Sequence, residues 1–561
     1  MDIKKGISAL LKKELGLKDD EILIEIPPDQ KLGNYAFPCF LLSKRMKKSA
    51  AQISQELSKK ISEKKKELAS LMIAEARATG PYINFFLKKE GFSKGVVSAI
   101  LDGGEEYGSS NTGKGKKILI EHTSINPNAS PHLGRARNAL IGDSIVRIMR
   151  FQGYKTDVHY FVNDVGKQIA MLVLGAEGKK RIEFDGLLKI YVDINKRAED
   201  DPAVEKKVFE LLNKLEKGDK EVKKRFHDIV DICIKGQSRI MAEIGIKYDS
   251  FDYESGYLWN RRTEEILAKL EKTGKLSEDE ESRMVLNQEE YNLPTKAPFL
   301  VLTRADKTSL YPLRDIAYTI DKLNSKAERN IVVLGEDQKL YFQQLKAALD
   351  ALGYKSPEVV HYSFVLLLEG KMSTRKGNVV LLEEFMKEAV EKAEKELKKR
   401  HDKFSEKTAK AIAYAAVKYA MLKVSSEKNV NFDWDAALSF EGESGPYLLY
   451  SYARASSVLG KAGKSAAKFS ENDLAEQEFQ LIEKMSKFKE AVDEAYASLK
   501  PHVIANYAYT LCQQFNEFYH SCPVLSERKE IKERRLAIIE CFRTVLKSAL
   551  GMIGIEAIEK M

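Results

Sequence analysis

The sequence predicts a multidomain α/β protein with three parts in chain order: a small α+β domain, a parallel-sheet domain and an α-helical bundle. Three observations predict this class. Helical and strand-like stretches alternate at the start of the chain, short apolar runs separated by helical segments recur in its middle, and almost everything after Phe385 has helical spacing. A chain of 561 residues has room for three to five domains at roughly 100–200 residues each.

The first domain is predicted over residues 1–112. Residues 3–15 and 50–72 carry apolar side chains at the spacing of one helical face. Residues 22–26 and the segment TGPYINFFLKK have the composition of strands, the second entered through a Gly-Pro turn. The stretch DGGEEYGSSNTGKGKK then has the composition of a linker.

The second domain is predicted over residues 113–440. The run KILIEHTS is typical of a buried strand, HLGRARNALIGDSIVRIMRFQGY of a helix, and YKTDVHYFV of a second strand. Strand–helix–strand units with short loops are typical of a parallel sheet. A charged helical stretch near 180–240 interrupts the pattern and is interpreted as an insertion. Residues 441–561 are predicted to form the helical bundle.

Composition and charge exclude several classes of protein. The chain holds 92 Lys and Arg against 83 Asp and Glu, a net charge of +9, with 43% hydrophobic residues, so it is neither disordered nor extremely basic. Its five cysteines include no C-x-x-C pair, which argues against structural zinc and a disulfide scaffold. No apolar run approaches the ~18 residues that a membrane span requires. The surplus charge is spread along the chain, so it indicates a polyanionic partner only weakly.

The first stretch that predicts chemistry is EHTSINPNASPHLGR, residues 121–135, which passes from a strand into a helix. His132 and Gly134 fall at the predicted helix start, where backbone N–H groups and the helix dipole favour an anion and glycine permits close approach. Taken alone, the pattern is more typical of an ordinary strand–helix turn.

The second stretch is KMSTRKGN, residues 371–378, a short segment with three cations within six residues. Such cations repel one another unless solvent or an anion relieves them, and a polyphosphate would do so. Taken alone, it is more typical of a solvated basic turn.

Together, in this order, the two stretches resemble the H-I-G-H and K-M-S-K-S signatures of class I aminoacyl-tRNA synthetases. Arg135 replaces the last His of the first, and Thr374 replaces the second Lys of the other. The segments YFVNDVGKQ, DKTSLYPLRDIA and EGESGPY, and the GNY and GPYINF stretches near the N-terminus, are similar to arginyl-tRNA synthetases. The resemblance covers essentially the whole chain.

The resemblance implies a Rossmann-like catalytic domain and a known reaction. L-Arginine would be activated with ATP and Mg²⁺ to arginyl-adenylate, and the arginyl group would then be transferred to the 3′-terminal adenosine of tRNA(Arg). It implies a cytoplasmic monomer without a structural metal. The first domain would contact the tRNA elbow, and the helical domain would bind the anticodon.

The resemblance also implies roles for particular residues. The two signatures correspond to His132, Gly134, Arg135, Lys371, Met372, Ser373, Thr374 and Arg375, of which His132, Gly134, Lys371 and Ser373 would contact ATP. The arginine pocket would be formed by Glu121, Asn126, Tyr311, Asp315 and Gln338. The candidates for tRNA contact are Asn84, Phe86, Tyr447, Tyr450 and Arg454, with Tyr507 and Tyr509 as further possibilities in the helical domain.

Physical chemistry adds detail to the arginine pocket. A guanidinium is a planar fork of five donors that stays charged, so Asp315 is predicted to be its main ion partner. Tyr311, four residues earlier, would share a helical face with Asp315.

Three alternatives stay open at this point. A cysteinyl enzyme would need zinc ligands, yet Cys233 is the single cysteine between residues 114 and 511. A non-catalytic tRNA-binding paralogue would account for Arg135 and Thr374. A generic nucleotidyltransferase would account for the middle domain alone.

Overall fold

A computed structural model describes residues 3–18, 21–27, 29–367, 380–400, 404–463 and 468–561. The chain forms two compact units. The first comprises Met1–Gly104, Val458–Ser486 and Gln514–Phe542, and the second Glu105–Ser457, Lys487–Gln513 and Arg543–Met561. No helix among the described residues is both long and apolar enough to cross a membrane.

The strands of the described residues are, in chain order, β1 (Tyr35–Pro38), β2 (Ile73–Thr79), β3 (Tyr82–Leu87), β4 (Lys117–Glu121), β5 (Lys155–Val162), β6 (Ser250–Tyr253), β7 (Leu276–Glu278), β8 (Met284–Asn287), β9 (Phe299–Val301), β10 (Arg329–Gly335), β11 (Glu358–Tyr362), β12 (Val365–Leu367) and β13 (Val430–Phe432).

The α-helices are, in chain order, α1 (Ile3–Leu15), α2 (Ser43–Met46), α3 (Ala50–Ser62), α4 (Lys65–Ser70), α5 (Lys89–Gly103), α6 (Leu133–Phe151), α7 (Lys167–Gly175), α8 (Phe184–Asp200), α9 (Pro202–Glu216), α10 (Lys220–Glu243), α11 (Gly256–Trp259), α12 (Arg262–Glu271), α13 (Tyr311–Leu323), α14 (Lys339–Ala351), α15 (Leu382–Lys398), α16 (Glu406–Leu422), α17 (Trp434–Leu438), α18 (Gly445–Ala462), α19 (Glu476–Ser486), α20 (Phe488–Ser498), α21 (Pro501–Ser521) and α22 (Lys529–Met552).

The first unit contains the antiparallel sheet β1-β3-β2 and helices on it. Ser49 and Gln52 form a capping box that begins α3, which explains why the helix predicted at 50–72 starts there. That helix is divided into α3 and α4 before β2. The strand predicted at 22–26 is not formed. Glu25 makes only an isolated bridge with Ala36, and Pro27, which has no backbone N–H to donate, follows at once.

The second unit contains a five-stranded parallel sheet in the order β11-β10-β4-β5-β6. The first of these strands in the chain, β4, lies in the middle, with β5 on one side and β10 on the other. The strand order therefore reverses between β4 and β10. Ligands of open α/β sheets bind at such a point, beyond the carboxyl ends of the strands. The predicted α/β class with a parallel sheet is confirmed.

Helix α6 follows β4 and lies close to the turn between them. A Cβ at Gly142 would come within 2.2 Å of the His122 ring, so only glycine allows this approach. Between β5 and β6 the chain forms α8, α9 and α10, and the helical character predicted for 180–240 is confirmed. Among the described residues after Phe385, β13 is an exception to the predicted helices, and it pairs in parallel with β12.

Helix α13 positions the site because its two faces differ. One face packs Leu313, Ile316 and Ile320 into an apolar core with α12, α14 and β10. The other face carries Tyr311, Asp315, Tyr318 and Lys322, which recur at helical spacing. Burial of the apolar face thus fixes where these four polar side chains point.

Candidate active site

The site is built where β4 ends. Glu121 is the last residue of β4, and Thr123 and Ser124 follow with φ of 75° and 41°, conformations that L-residues seldom adopt. The turn is held by polar contacts: the Thr123 N–H donates to Asn138 Oδ1 at 2.6 Å, and Tyr248 donates to Thr123 Oγ1 at 2.8 Å. These hydrogen bonds offset the backbone strain at the turn and restrict the conformations of Thr123 and Ser124.

Glu121 is already paired inside the protein. Its Oε2 forms a buried ion pair with Lys322 Nζ from α13, and both side chains are less than a tenth exposed. The Lys322 ammonium also lies 4.1 Å from the centre of the Tyr318 ring. The carboxylate at the end of β4 is therefore neutralised by the chain's own cation.

Asp315 is held differently. Tyr341 from α14 donates to its Oδ2 at 2.7 Å, and Thr319 donates to Oδ1 at 3.4 Å. Burial raises the pKa of Asp315, while the nearby Lys322 charge opposes that rise. The Tyr311 ring lies 5.2 Å from the ring of Tyr341, so the two tyrosines flank this carboxylate. The prediction that Tyr311 and Asp315 share a helical face is confirmed.

A third carboxylate, Glu254, follows β6 and is paired with Arg314. The guanidinium Nε donates to Glu254 Oε1 at 2.7 Å, and the two side chains are 8% and 1% exposed. Burial raises the pKa of Glu254, and Arg314 acts against that rise. Two carboxylates of this region thus have internal cations, whereas Asp315 is bonded by hydroxyl groups.

The other predicted arginine-pocket residues lie beside this group. Asn126 is exposed and donates to Gln168 Oε1 at 3.2 Å, and its carbonyl accepts from Gln237 at 3.1 Å. Gln338 is half-buried and ends the short 3₁₀ turn that follows β10. Within the described residues, no hydrogen bond joins either side chain to Asp315.

Three members of this network, Tyr318, Lys322 and Tyr341, are not among the predicted site residues. The first two had a signal in the sequence, because they follow Tyr311 by seven and eleven positions on the same helical face. Tyr341 lies in the first turn of the next helix, and its contact with Asp315 depends on packing between α13 and α14 that spacing does not reveal.

On the other side of the crevice that an open parallel sheet forms beyond its strand ends, here beyond β4 and β10, His132 is the residue preceding α6 and has extended backbone geometry. Burial, aided by the charge of Arg135, lowers the pKa of His132 to about 4, so its imidazole is neutral near pH 7. The N–H of Leu133 donates to the Val380 carbonyl at 3.1 Å. One amide at this helix start is therefore bonded within the protein, whereas the sequence predicts free amides here.

The second signature stretch, with Lys371, Met372, Ser373, Thr374 and Arg375, lies outside the described residues. The segments on each side of it are described. Strand β12 ends at Leu367, and Leu381 bridges His132 directly before α15.

Arg137, on α6, joins the chain segments that precede β12 and β13. It is fully buried, and its guanidinium donates to the carbonyls of Ser363 and Lys428 at 2.7 Å each and of Ser425 at 2.9 Å. No carboxylate among the described residues contacts it. Burial lowers its pKa to about 10, so the group still carries its charge near pH 7.

The predicted tRNA-contact residues differ in accessibility. Asn84 is only 3% exposed within β3, and Phe86 is half-buried beneath Arg77, whose guanidinium lies 4.7 Å from the ring. In the second unit, Arg454 donates to the Tyr450 hydroxyl at 3.1 Å.

The remaining aromatic candidates of α18 and α21 also differ. The rings of Tyr447 and Tyr509 lie 5.8 Å apart and are half-buried. Tyr507 is buried against Phe488, which is the core role typical of tyrosine in a helical domain.

Comparison with known proteins finds three family models that match the chain. Residues 96–434 match the family model of the class I tRNA synthetase (R) catalytic domain, residues 448–561 the DALR anticodon binding domain, and residues 1–87 the arginyl tRNA synthetase N terminal domain. The chain belongs to the arginyl-tRNA synthetase family.

Members of the family are similar over the whole length. The arginine–tRNA ligase of Methanocaldococcus jannaschii is 36% identical over 580 residues and covers all of both chains. That of Pyrococcus furiosus is 34% identical, covering 100% of this chain and 99% of its own. The arginyl-tRNA synthetase structure of Thermus thermophilus matches with a TM-score of 0.84 at 26% identity, over 100% of this chain and 99% of the other.

Proposed function

We propose that the chain is an arginine–tRNA ligase. It activates L-arginine with ATP to arginyl-adenylate and transfers the arginyl group to the 3′-terminal adenosine of tRNA(Arg), releasing AMP and pyrophosphate. The observation that carries this proposal is the charge of the pocket beyond β4. Glu121 and Glu254 are each paired with an internal cation, and Asp315 is bonded by hydroxyl groups.

A pocket of this kind suits a guanidinium. The substrate's fork supplies the positive charge that Asp315 lacks, and the Tyr311 and Tyr341 rings beside it offer aromatic faces. Lysine would leave acceptors unpaired, which costs roughly 1–3 kcal/mol for each buried polar group. Glu121, Asn126 and Gln338 complete the pocket by family resemblance.

The nucleotide side uses the start of α6. The arginine carboxylate attacks the α-phosphorus of Mg–ATP, and pyrophosphate leaves in line. A neutral His132 donates a hydrogen bond to the phosphates without losing a proton, and Arg135 supplies positive charge. Gly134 permits close approach of the nucleotide. Lys371 and Ser373 contact the β- and γ-phosphates, with Met372, Thr374 and Arg375 in the same signature.

The rest of the chain serves tRNA(Arg). The domain at 1–112 contacts the elbow through Asn84 and Phe86, and the domain at 441–561 binds the anticodon with Tyr447, Tyr450 and Arg454. Unpaired bases are read by stacking on aromatic or arginine planes. The catalytic domain spans 113–440. The enzyme acts as a cytoplasmic monomer in protein synthesis.

The direct test is ATP–pyrophosphate exchange with arginine, with and without tRNA(Arg). Exchange that depends on arginine and on the tRNA is expected. Citrulline is the matched control, because it has the shape of arginine without its charge, and it should give no exchange. Absence of exchange with arginine under both conditions, from protein that binds tRNA(Arg), would favour the non-catalytic paralogue.

A further inference from the structure

Lys322 is a buried cation at the inner end of the polar face of α13. Its side chain is 8% exposed, and its ammonium pairs with Glu121 and lies over the Tyr318 ring. Lysine is seldom buried to this degree unless it is paired. Its position seven residues after Asp315 places both on one helical face. Helix α13 therefore carries both Asp315 and the lysine that neutralises Glu121.

Of the three carboxylates described above, two have a lysine or arginine partner and one does not. Glu121 has Lys322 and Glu254 has Arg314, while Asp315 accepts from Tyr341 and Thr319. A bound guanidinium would complete the balance. Without Lys322, two like charges would face the same substrate, and a carboxylate beside a second uncompensated carboxylate keeps its proton to a higher pH than it would alone.

We propose that Lys322 is a specificity-determining positioning residue, which neutralises Glu121 so that Asp315 alone offers uncompensated negative charge to the guanidinium. The proposal rests on the proposed function, since it concerns the same pocket. Lys322 acts through Glu121 and Asp315 and does not contact the substrate. Its positive charge acts against the burial that raises the pKa of Asp315.

The titrating groups around Asp315 come from several elements. Tyr311 and Lys322 lie on its own helix, Tyr341 on α14, Glu121 on β4 and Glu254 after β6. Burial raises the pKa of both tyrosines far above neutrality, so neither titrates in the range of the assay.

A histidine also lies within reach of this network. Tyr318 donates to Asp252 at 2.8 Å, and Asp252 contacts His159 Nδ1 at 2.5 Å. His159 is thus the histidine whose titration a pH profile must separate from that of Asp315.

The test is the pH profile of kcat/KM for arginine in tRNA-dependent pyrophosphate exchange. In Lys322→Met, the acid limb of the profile, where activity falls as the pH is lowered, should move to a pH about one unit higher, because Asp315 loses a nearby cation. In Glu121→Gln, which keeps the lysine charge, the limb should move down. The double variant should return the limb towards the wild-type position, although KM itself rises. Lys322→Arg keeps the charge and should keep the limb.

Controls separate charge from damage to the fold. Lys116→Met removes a lysine 3.1 Å from Glu328 on the surface and should leave the limb in place. His159→Asn should also leave it, because the limb reports the carboxylates. The profile of kcat/KM for ATP at saturating arginine should not move in any variant.

Two results would overturn the proposal. One is a folded Lys322→Met protein whose limb coincides with that of the wild type. The other is an acid limb of the Glu121→Gln profile that moves to higher pH or does not move. The Glu121→Gln measurement tests the proposal even if Lys322→Met does not fold. A wrong proposed function would give a different result. The wild-type protein itself would then show no arginine-dependent exchange, and arginine would not be the ligand of this pocket.

Discussion

The two sides of the crevice beyond β4 hold their buried cations in opposite ways. On the pocket side, Lys322 and Arg314 are each paired with a carboxylate. On the α6 side, Arg137 donates to three backbone carbonyls. Pairing with carboxylates sets the local charge, whereas bonding to carbonyls leaves the positive charge uncompensated and fixes the chain segments that supply them. Among the described residues, the α13 side also holds Asp315, a carboxylate with no cation partner, and the α6 side holds a guanidinium with no carboxylate partner, within a chain whose net charge of +9 is widely spread.

The largest effect is expected from removing the unneutralised carboxylate. In Asp315→Asn, kcat/KM for arginine should fall about 10³-fold, because a buried guanidinium left without its partner costs ~3–5 kcal/mol. Pyrophosphate exchange measures the loss, and tRNA(Arg) binding should persist. Asp321→Asn, on the same helix and paired with Arg262, is the control and should have little effect. Equal losses in the two variants would remove Asp315 from the pocket.

A smaller effect is expected on the α6 side, in stability. Arg137→Met leaves three carbonyls without a donor and should lower the free energy of unfolding of its unit by about 3 kcal/mol. The thermal unfolding midpoint measures this. Arg150→Met, an exposed position of the same helix, is the control and should shift the midpoint little. A midpoint unchanged by Arg137→Met would show that the carbonyls find other donors, and the contrast between the two sides would fail.

The smallest effect concerns His122, a buried histidine packed between α6 and Tyr248. Burial lowers the pKa of His122 to about 3, whereas an unfolded histidine titrates near 6.5. Below about pH 6.5 the unfolded state therefore binds a proton that the folded state does not bind. The free energy of unfolding is highest above that pH and decreases as the pH falls towards 3. At about pH 5.5 the loss is about 1.4 kcal/mol.

His122→Gln should reduce this loss between about pH 7.5 and about pH 5.5, when thermal midpoints are compared. His520→Gln, at an exposed position, should reproduce the wild-type dependence. If the two variants show the same dependence on pH as the wild type, the acid sensitivity arises elsewhere.

Local patterns predicted the parallel sheet, the helical C-terminal part and the shared face of Tyr311 and Asp315, because each depends on periodicity within a few turns or strands. The pairing of Lys322 with Glu121 could not be predicted in this way. It joins residues that are far apart in the chain, and it depends on how α13 is seated against β4. The prediction of a strand at 22–26 was wrong because it used composition alone. Among the described residues, this segment pairs only through the bridge between Glu25 and Ala36.

The central position of β4 also has a consequence for synthesis of the chain. Its partner β10 pairs with it from roughly 200 residues further on, where Arg329 meets Ile118. At about 5–20 residues per second, one edge of this apolar strand stays unpaired for roughly 10–40 s after it leaves the ribosome. An unpaired apolar edge is a template for aggregation, so the nascent chain carries such a template until β10 has been made.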